Sequence, residues 1–106
     1  MLEKMKFEKL IAWQRALELS ASVAELKVSF PSEERFVLSS QIQRAADSIA
    51  LNIAEGSTGQ TNKVFRNFLS YSIRSGIEVI ACLHLAKKRN LIDESQFENM
   101  YAKLKR

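Results

Sequence analysis

The sequence predicts an all-α protein, an up-down-up-down antiparallel four-helix bundle in which residues 1–106 form a single domain. Three observations lead to this prediction. Only three glycines and one proline occur in 106 residues, which favours long helices joined by short loops. Apolar residues recur at steps of three and four, the periodicity of a helix with one buried face. Short connections between consecutive helices make antiparallel neighbours the expected arrangement.

The first helix is predicted from about Lys6 to Lys27. We expect one apolar face to be buried, with glutamates on the opposite side. The residues of this face are Phe7, Leu10, Ile11, Leu17, Ala21, Ala24 and Val28. The helix should end before Pro31, because a proline moves the preceding residue out of the α conformation. Trp13 is interpreted as a core or interface anchor whose indole N–H needs a hydrogen-bond acceptor.

The second helix is predicted to begin at Pro31 or Ser32 and to end near Glu55. Glu33 and Glu34 favour this start, because acidic side chains stabilise the positive end of the helix dipole. The predicted buried face consists of Leu38, Ile42, Ala45, Ala46, Ile49 and Ile53. The glycine that follows the helix fits the C′ position, where residues without a side chain are favoured.

Two further helices follow a loop predicted at residues 56–60. The third is predicted over residues 62–89, with Thr61 or the next residue as its N-cap. Its inward side chains are expected to be Phe65, Phe68, Leu69, Ser72, Gly76, Val79, Leu83 and Ala86. Asp93 and Gln96 match a capping box and mark the start of the fourth helix. That helix should bury Phe97, Met100, Tyr101 and Leu104.

The second helix also carries polar residues where an ordinary bundle helix needs none. They recur at steps of three and four and form one stripe beside the apolar face. Its members are Gln41, Arg44, Ser48, Asn52 and Glu55, and Gly56 follows them. This stripe is either a ligand or nucleic-acid surface or a structural seam that fixes helix ends or a subunit contact. We favour the structural interpretation.

Together with its flanking residues, the second helix resembles the 23S rRNA intervening sequence proteins, a family of small four-helix bundles. The accessory variability protein of diversity-generating retroelements is similar to them. The resemblance rests on Phe7, Leu10, Trp13, Gln14, Phe30, Pro31, Glu34, the run Gln41–Gly56, Phe65, Phe68, Leu69, Ala86 and Leu91. Two features depart from the family pattern: the last helix stops soon after Leu104, and a basic run replaces a more apolar stretch before Leu91.

Basic residues are concentrated in the second half of the chain. The formal net charge of +4 comes entirely from residues 54–106. At about 100° per residue, several cations of the third helix fall within one arc opposite its core. We predict phosphate contacts with nucleic acid through Lys63, Arg66, Arg74, Lys87, Lys88 and Arg89. The alternative is a solvated helical face, with the last three residues placed where cations favour a helix C-terminus.

An apolar strip of Ile73, Ile77 and Ile80 lies beside this basic arc. It is wider than one bundle core requires, which indicates burial against another subunit. The alternative is that these isoleucines meet the first helix within the same chain. The family resemblance favours assembly, because it implies a ring-like homopentamer from a bacterial source. It also implies RNA as a partner or, in the retroelement branch of the family, a reverse transcriptase.

The sequence gives little support for enzyme chemistry. His84 is the single histidine and Cys82 the single cysteine, and positions two apart on a helix face away from each other. No metal motif, phosphate loop or nucleophile constellation accompanies them. We therefore predict a non-enzymatic protein without metal or cofactor. One cysteine and no apolar run of membrane-spanning length also predict a cytoplasmic protein without a membrane partner.

The sequence leads to two functional hypotheses. In the first, an oligomer binds RNA or another nucleic acid through cations contributed by several subunits. In the second, a structural or scaffold oligomer binds a protein partner, such as a reverse transcriptase, through its isoleucine strip.

Overall fold

The computed structural model describes residues 6–58 and 61–104. These residues form four α-helices: α1 (Ile11–Leu26), α2 (Leu38–Gly56), α3 (Asn62–Lys88) and α4 (Glu94–Leu104). Short 3₁₀ turns occupy Lys6–Lys9, Lys27–Ser29 and Ser32–Glu34, and no strand occurs in the described ranges. α2 packs against both α1 and α3, and α4 packs against α3 and α1. The predicted all-α antiparallel four-helix bundle is confirmed.

The core consists of two clusters of buried side chains. The larger cluster joins all four helices. Its largest fully buried side chains are those of Val23, Leu38, Ile42, Val79, Cys82 and Leu83. The smaller cluster contains Ala16, Ala50 and Ile53 and packs with the half-buried Trp13 near the start of α1. The face predicted for α2 is buried as expected, except that Ile49 is only half-buried.

The start of α1 and its buried face differ from the prediction. Leu10 is extended, with φ −75° and ψ 131°, so a break separates the first 3₁₀ turn from α1. Ile11 and Leu17 are 66% and 53% exposed, whereas Leu19 and Val23 are buried. The predicted face was wrong because the helix carries two apolar stripes. Periodicity alone does not show which of the two packs against α2.

The start of α2 was also predicted wrongly. The helix begins at Leu38 rather than at Pro31 or Ser32. Val37 has the non-helical angles φ −116° and ψ −95°. Phe30 and Leu38 are both buried in the core, and an irregular turn between them lets both side chains point inward. The two glutamates that favoured a helix start here belong to the 3₁₀ turn Ser32–Glu34, in which the Glu34 N–H donates to the carbonyl oxygen of Pro31.

Gly56 has a different role from the predicted C′ residue. It is the last residue of α2, and Ser57 follows it as the C-cap. A Cβ atom at Gly56 would lie 2.6 Å from Cβ of Phe68 and 2.9 Å from Cδ1 of Phe65. The glycine is therefore required by the close approach of α3. Residues 59–60 of the predicted loop lie outside the described residues.

The predicted starts of the last two helices are confirmed. Thr61 caps α3, and its Oγ1 accepts a hydrogen bond of 3.1 Å from the backbone N–H of Val64. Before α4, the Asp93 N–H donates to Oε1 of Gln96 at 2.9 Å and the Gln96 N–H donates to Oδ1 of Asp93 at 2.8 Å. These reciprocal bonds form a capping box.

None of the helices within the described residues combines the length and the apolar character needed to cross a membrane.

Replacement of Gly56 by alanine should destabilise the protein by about 1–3 kcal/mol, the usual cost of overpacking a closely packed site. The matched control is Gly76→Ala in α3, where a new Cβ would meet only Ile49 Cδ1, at 3.9 Å. That change should be neutral or stabilising, because alanine favours a helix over glycine by about 1 kcal/mol. Urea unfolding of both variants checks this. Equal shifts of the midpoint would contradict the role assigned to Gly56.

Candidate nucleic-acid interface

The outward face of α3 displays three of the predicted nucleic-acid contacts. Lys63, Arg66 and Arg74 are all exposed, and no ion pair joins any of them to another described residue. They extend over about 16 Å of the helix at 1.5 Å per residue. Because these cations are not paired with carboxylates of the described residues, we expect them to be available for an anionic partner.

The other three predicted contacts lie at the far end of α3, about 37 Å from Lys63. Lys87 Nζ is 3.3 Å from Oε1 of Glu94 and 4.1 Å from the ring centroid of Phe97. Arg89 Nη1 donates to both carboxylate oxygens of Glu34, at 3.1 Å and 3.2 Å. Lys88 is exposed between them. The fold thus separates the six cations into two groups, and two members of the second group hold helix ends together.

An apolar groove separates α1 from α3, because both helices pack against α2. Its volume is about 600 Å³. Ile73 and Ile77 line it and are 66% and 61% exposed, whereas Ile80 is half-buried. Lys103 and Leu104, at the end of α4, also line this groove. The first two isoleucines therefore face α1 without being covered by it.

The polar stripe of α2 is partly engaged in contacts with α3. Asn52 Nδ2 donates to the carbonyl oxygen of Ser48 at 2.8 Å and to its Oγ at 3.0 Å. Ser75 Oγ donates to Ser48 Oγ at 2.9 Å, and Gln41 Nε2 donates to Oε2 of Glu78 at 3.4 Å. These contacts fit a structural seam.

Two other members of the stripe form no side-chain hydrogen bond with the described residues of this seam. Arg44 and Glu55 are exposed. Neither forms an ion pair within the described part of the chain.

A second polar cluster, which the sequence analysis missed, joins α1 to α2. Asp47 Oδ1 accepts hydrogen bonds from Ser20 Oγ and, at 2.9 Å, from Gln43 Nε2. Gln43 Nε2 also lies 3.3 Å from the carbonyl oxygen of Ser20. Its Oε1 is buried and has no partner among the described residues. The available signal was the i,i+4 spacing of Gln43 and Asp47, which brings their side chains together on a helix.

Cys82 and His84 do not form a catalytic pair. His84 is exposed, and its ring centroid lies 4.8 Å from that of Phe97. Cys82 is buried in the core, and burial raises the pKa of its thiol; Glu78 acts in the same direction and Arg89 opposes it. Across residues 6–58 and 61–104, no three His, Cys, Asp or Glu side chains come close enough together to hold a metal ion.

Comparisons with known proteins found a matching family and a solved structure with the same fold. A family profile described as 23S rRNA-intervening sequence protein matches residues 8–106. A similar solved structure is the crystal structure of a protein with unknown function from the S23 ribosomal protein family of Bacteroides thetaiotaomicron. It superposes with a TM-score of 0.80 at 25% sequence identity, over 89% of this chain and 88% of that chain. No curated protein sequence matches the chain significantly.

The buried thiol of Cys82 should react at least about tenfold more slowly with Ellman's reagent at pH 8 in the folded protein than in urea. The thiolate is the reactive form, and burial both hides the sulfur atom and disfavours its ionisation. Because the folded thiol has a raised pKa, its contribution to stability should be lost as the pH rises above its ordinary value of 9.0. Equal labelling rates in both states would contradict this placement of Cys82.

Proposed function

This chain belongs to the 23S rRNA-intervening sequence protein family, and we propose that it is a non-enzymatic homo-oligomer that binds RNA through phosphate contacts. The observation that carries this proposal is the exposed α3 surface of Lys63, Arg66 and Arg74, cations without ion pairs among the described residues. Such side chains gain most from phosphate groups, because no internal partner is lost on binding. The contacts would be to the backbone, so little base discrimination is expected from this surface.

Self-assembly would strengthen this surface. Arg74 directly follows Ile73 and lies one helical turn before Ile77, so the basic surface borders the apolar groove. Burial of the two exposed isoleucines against another copy would bring cations of neighbouring subunits together at the interface. We propose a ring of five copies, as the family resemblance implies, which would carry five times the +4 of one chain. We also propose a cytoplasmic location, which suits the free thiol of Cys82.

A second candidate function is supported by the same groove. Its volume of about 600 Å³ and its lining of aliphatic side chains from α1, α2 and α3 would suit an apolar segment of a protein partner. In this alternative the oligomer is a scaffold, for example for a reverse transcriptase, and the basic surface is a solvated face. Charge reversal on α3 distinguishes the two, because capture of a protein through the groove would not depend on Arg66 or Arg74.

The double variant Arg66→Glu/Arg74→Glu should lose RNA affinity by at least about tenfold at low salt. Each lost phosphate contact should also reduce the salt slope, by about 0.9 on a duplex or about 0.7 on a single strand. The matched control is Lys6→Glu/Lys9→Glu, which changes two exposed lysines of the first 3₁₀ turn and alters the net charge equally. Fluorescence anisotropy over a salt series measures the RNA affinity and its salt slope for each variant. Equal losses in both variants would assign the effect to net charge and contradict a localised surface.

The variant Ile77→Asp should dissociate the oligomer, because an unpaired charge is costly to bury at a subunit contact. The matched control is Leu51→Asp on α2, since Leu51 is 57% exposed and Ile77 is 61% exposed. Sedimentation velocity should give a lower mass for Ile77→Asp and an unchanged mass for the control. An unchanged mass for Ile77→Asp would contradict the proposal that the groove is a contact between subunits.

A further inference from the structure

A hollow of about 510 Å³ lies at the end of the bundle where α1 passes into α2. It is built by the irregular connection between the two helices and by the first two turns of α2. The lining residues that determine its chemistry are Lys27, Arg35, Phe36, Ser39, Ser40 and Arg44. The sequence predicted a helix over most of this connection and therefore gave no indication of a hollow.

Phe36 is the most unusual residue of this hollow. Its side chain is 84% exposed, more than that of any other large apolar residue in the described ranges. The guanidinium carbon of Arg35 lies 5.4 Å from its ring centroid. Because the Phe36 ring is exposed, it lacks the stabilisation that burial normally gives an aromatic ring. A flat ligand that covers the ring would recover that stabilisation.

The charge of the hollow indicates an anionic ligand. Lys27, Arg35 and Arg44 line it, and no carboxylate does. The nearby Glu34 is occupied by its ion pair with Arg89, 3.1 Å away, and so does not neutralise these cations. None of the three cations has an ion pair with a described residue.

The hollow also offers hydrogen-bonding groups and a suitable size. Ser39 and Ser40 contribute hydroxyl groups. The volume falls within the range of about 300–1,000 Å³ that is typical of small-ligand sites. An exposed aromatic ring beside cations is also the arrangement with which proteins bind unpaired nucleotides, by base stacking and phosphate attraction.

We propose that this hollow binds one unpaired nucleotide of an RNA. The base stacks on Phe36, and the adjoining phosphate is held by Lys27, Arg35 and Arg44. The inference rests on the proposed RNA binding and adds to it a contact that distinguishes unpaired from paired RNA. The α3 surface should accept paired and unpaired RNA alike, whereas the hollow needs a base that is free to leave a stack.

The test compares Phe36→Ala with the unaltered protein in binding to a ten-nucleotide single-stranded RNA and to a duplex RNA of the same length. Loss of one stacked base should lower the single-strand affinity about 5- to 150-fold and leave the duplex affinity unchanged. The control is Leu51→Ala, which truncates an exposed aliphatic residue outside the hollow and should change neither affinity. A Phe36→Trp variant adds a direct readout, because a stacked base should quench the new indole. The Trp13 emission of the unaltered protein is the background.

The outcomes separate this inference from the proposed function. If the unaltered protein binds RNA while Phe36→Ala binds single strands equally well and Phe36→Trp is not quenched, the hollow is not a nucleotide site and the α3 proposal stands. If Phe36→Ala lowers the oligomer mass with no change in RNA affinity, the hollow is a contact between copies and the inference is overturned. If the unaltered protein binds neither RNA at low salt, both proposals fail.

Discussion

The close packing of α2 against α3 is the contact on which the rest of the structure depends. Gly56 leaves room for Phe68, and Ser72 Oγ donates to the carbonyl oxygen of Ile49 at 3.0 Å. Ser75 bonds Ser48 at 2.9 Å across the same interface. Small residues on both helices allow this approach, and their hydroxyl groups find partners within it. Since α1 also packs against α2, α1 and α3 are held apart, and the groove between them is a direct consequence of this arrangement.

The same packing determines which parts of α3 are free for binding. One face of α3 is committed to α2 and the end of the helix is tied to α4 and to Glu34, so the outward face carries exposed isoleucines and cations side by side. An assembly through the groove would therefore set the basic surfaces of neighbouring subunits next to each other. The α1–α2 connection lies at the opposite end of α2 from Gly56 and the start of α3. Its cations form a second positive surface there, around Phe36.

The sequence predicted most of the fold but only part of the candidate site. The starts of α3 and α4 were predicted correctly from Thr61 and from the capping pair of Asp93 and Gln96, because a cap depends only on residues close in sequence. The face of α1 did not follow, since two apolar stripes satisfy the same periodicity and only the packing against α2 selects Leu19 and Val23. The ion pairs of Lys87 with Glu94 and of Arg89 with Glu34 are tertiary contacts, which spacing along one helix does not encode. The exposure of Phe36 depends on an irregular turn that propensity assigned to a helix.

The most direct test of the account is the affinity of the purified protein for a structured RNA and for a duplex DNA of equal length, titrated from low to near-physiological salt. The account predicts tight binding at low salt with a steep linear fall of log affinity against log salt concentration, because several phosphate contacts release counterions together. A preference for the RNA over the DNA is expected, since only the structured RNA offers unpaired nucleotides. Absence of binding to either nucleic acid at low salt would contradict the account and leave the scaffold function as the explanation of the groove.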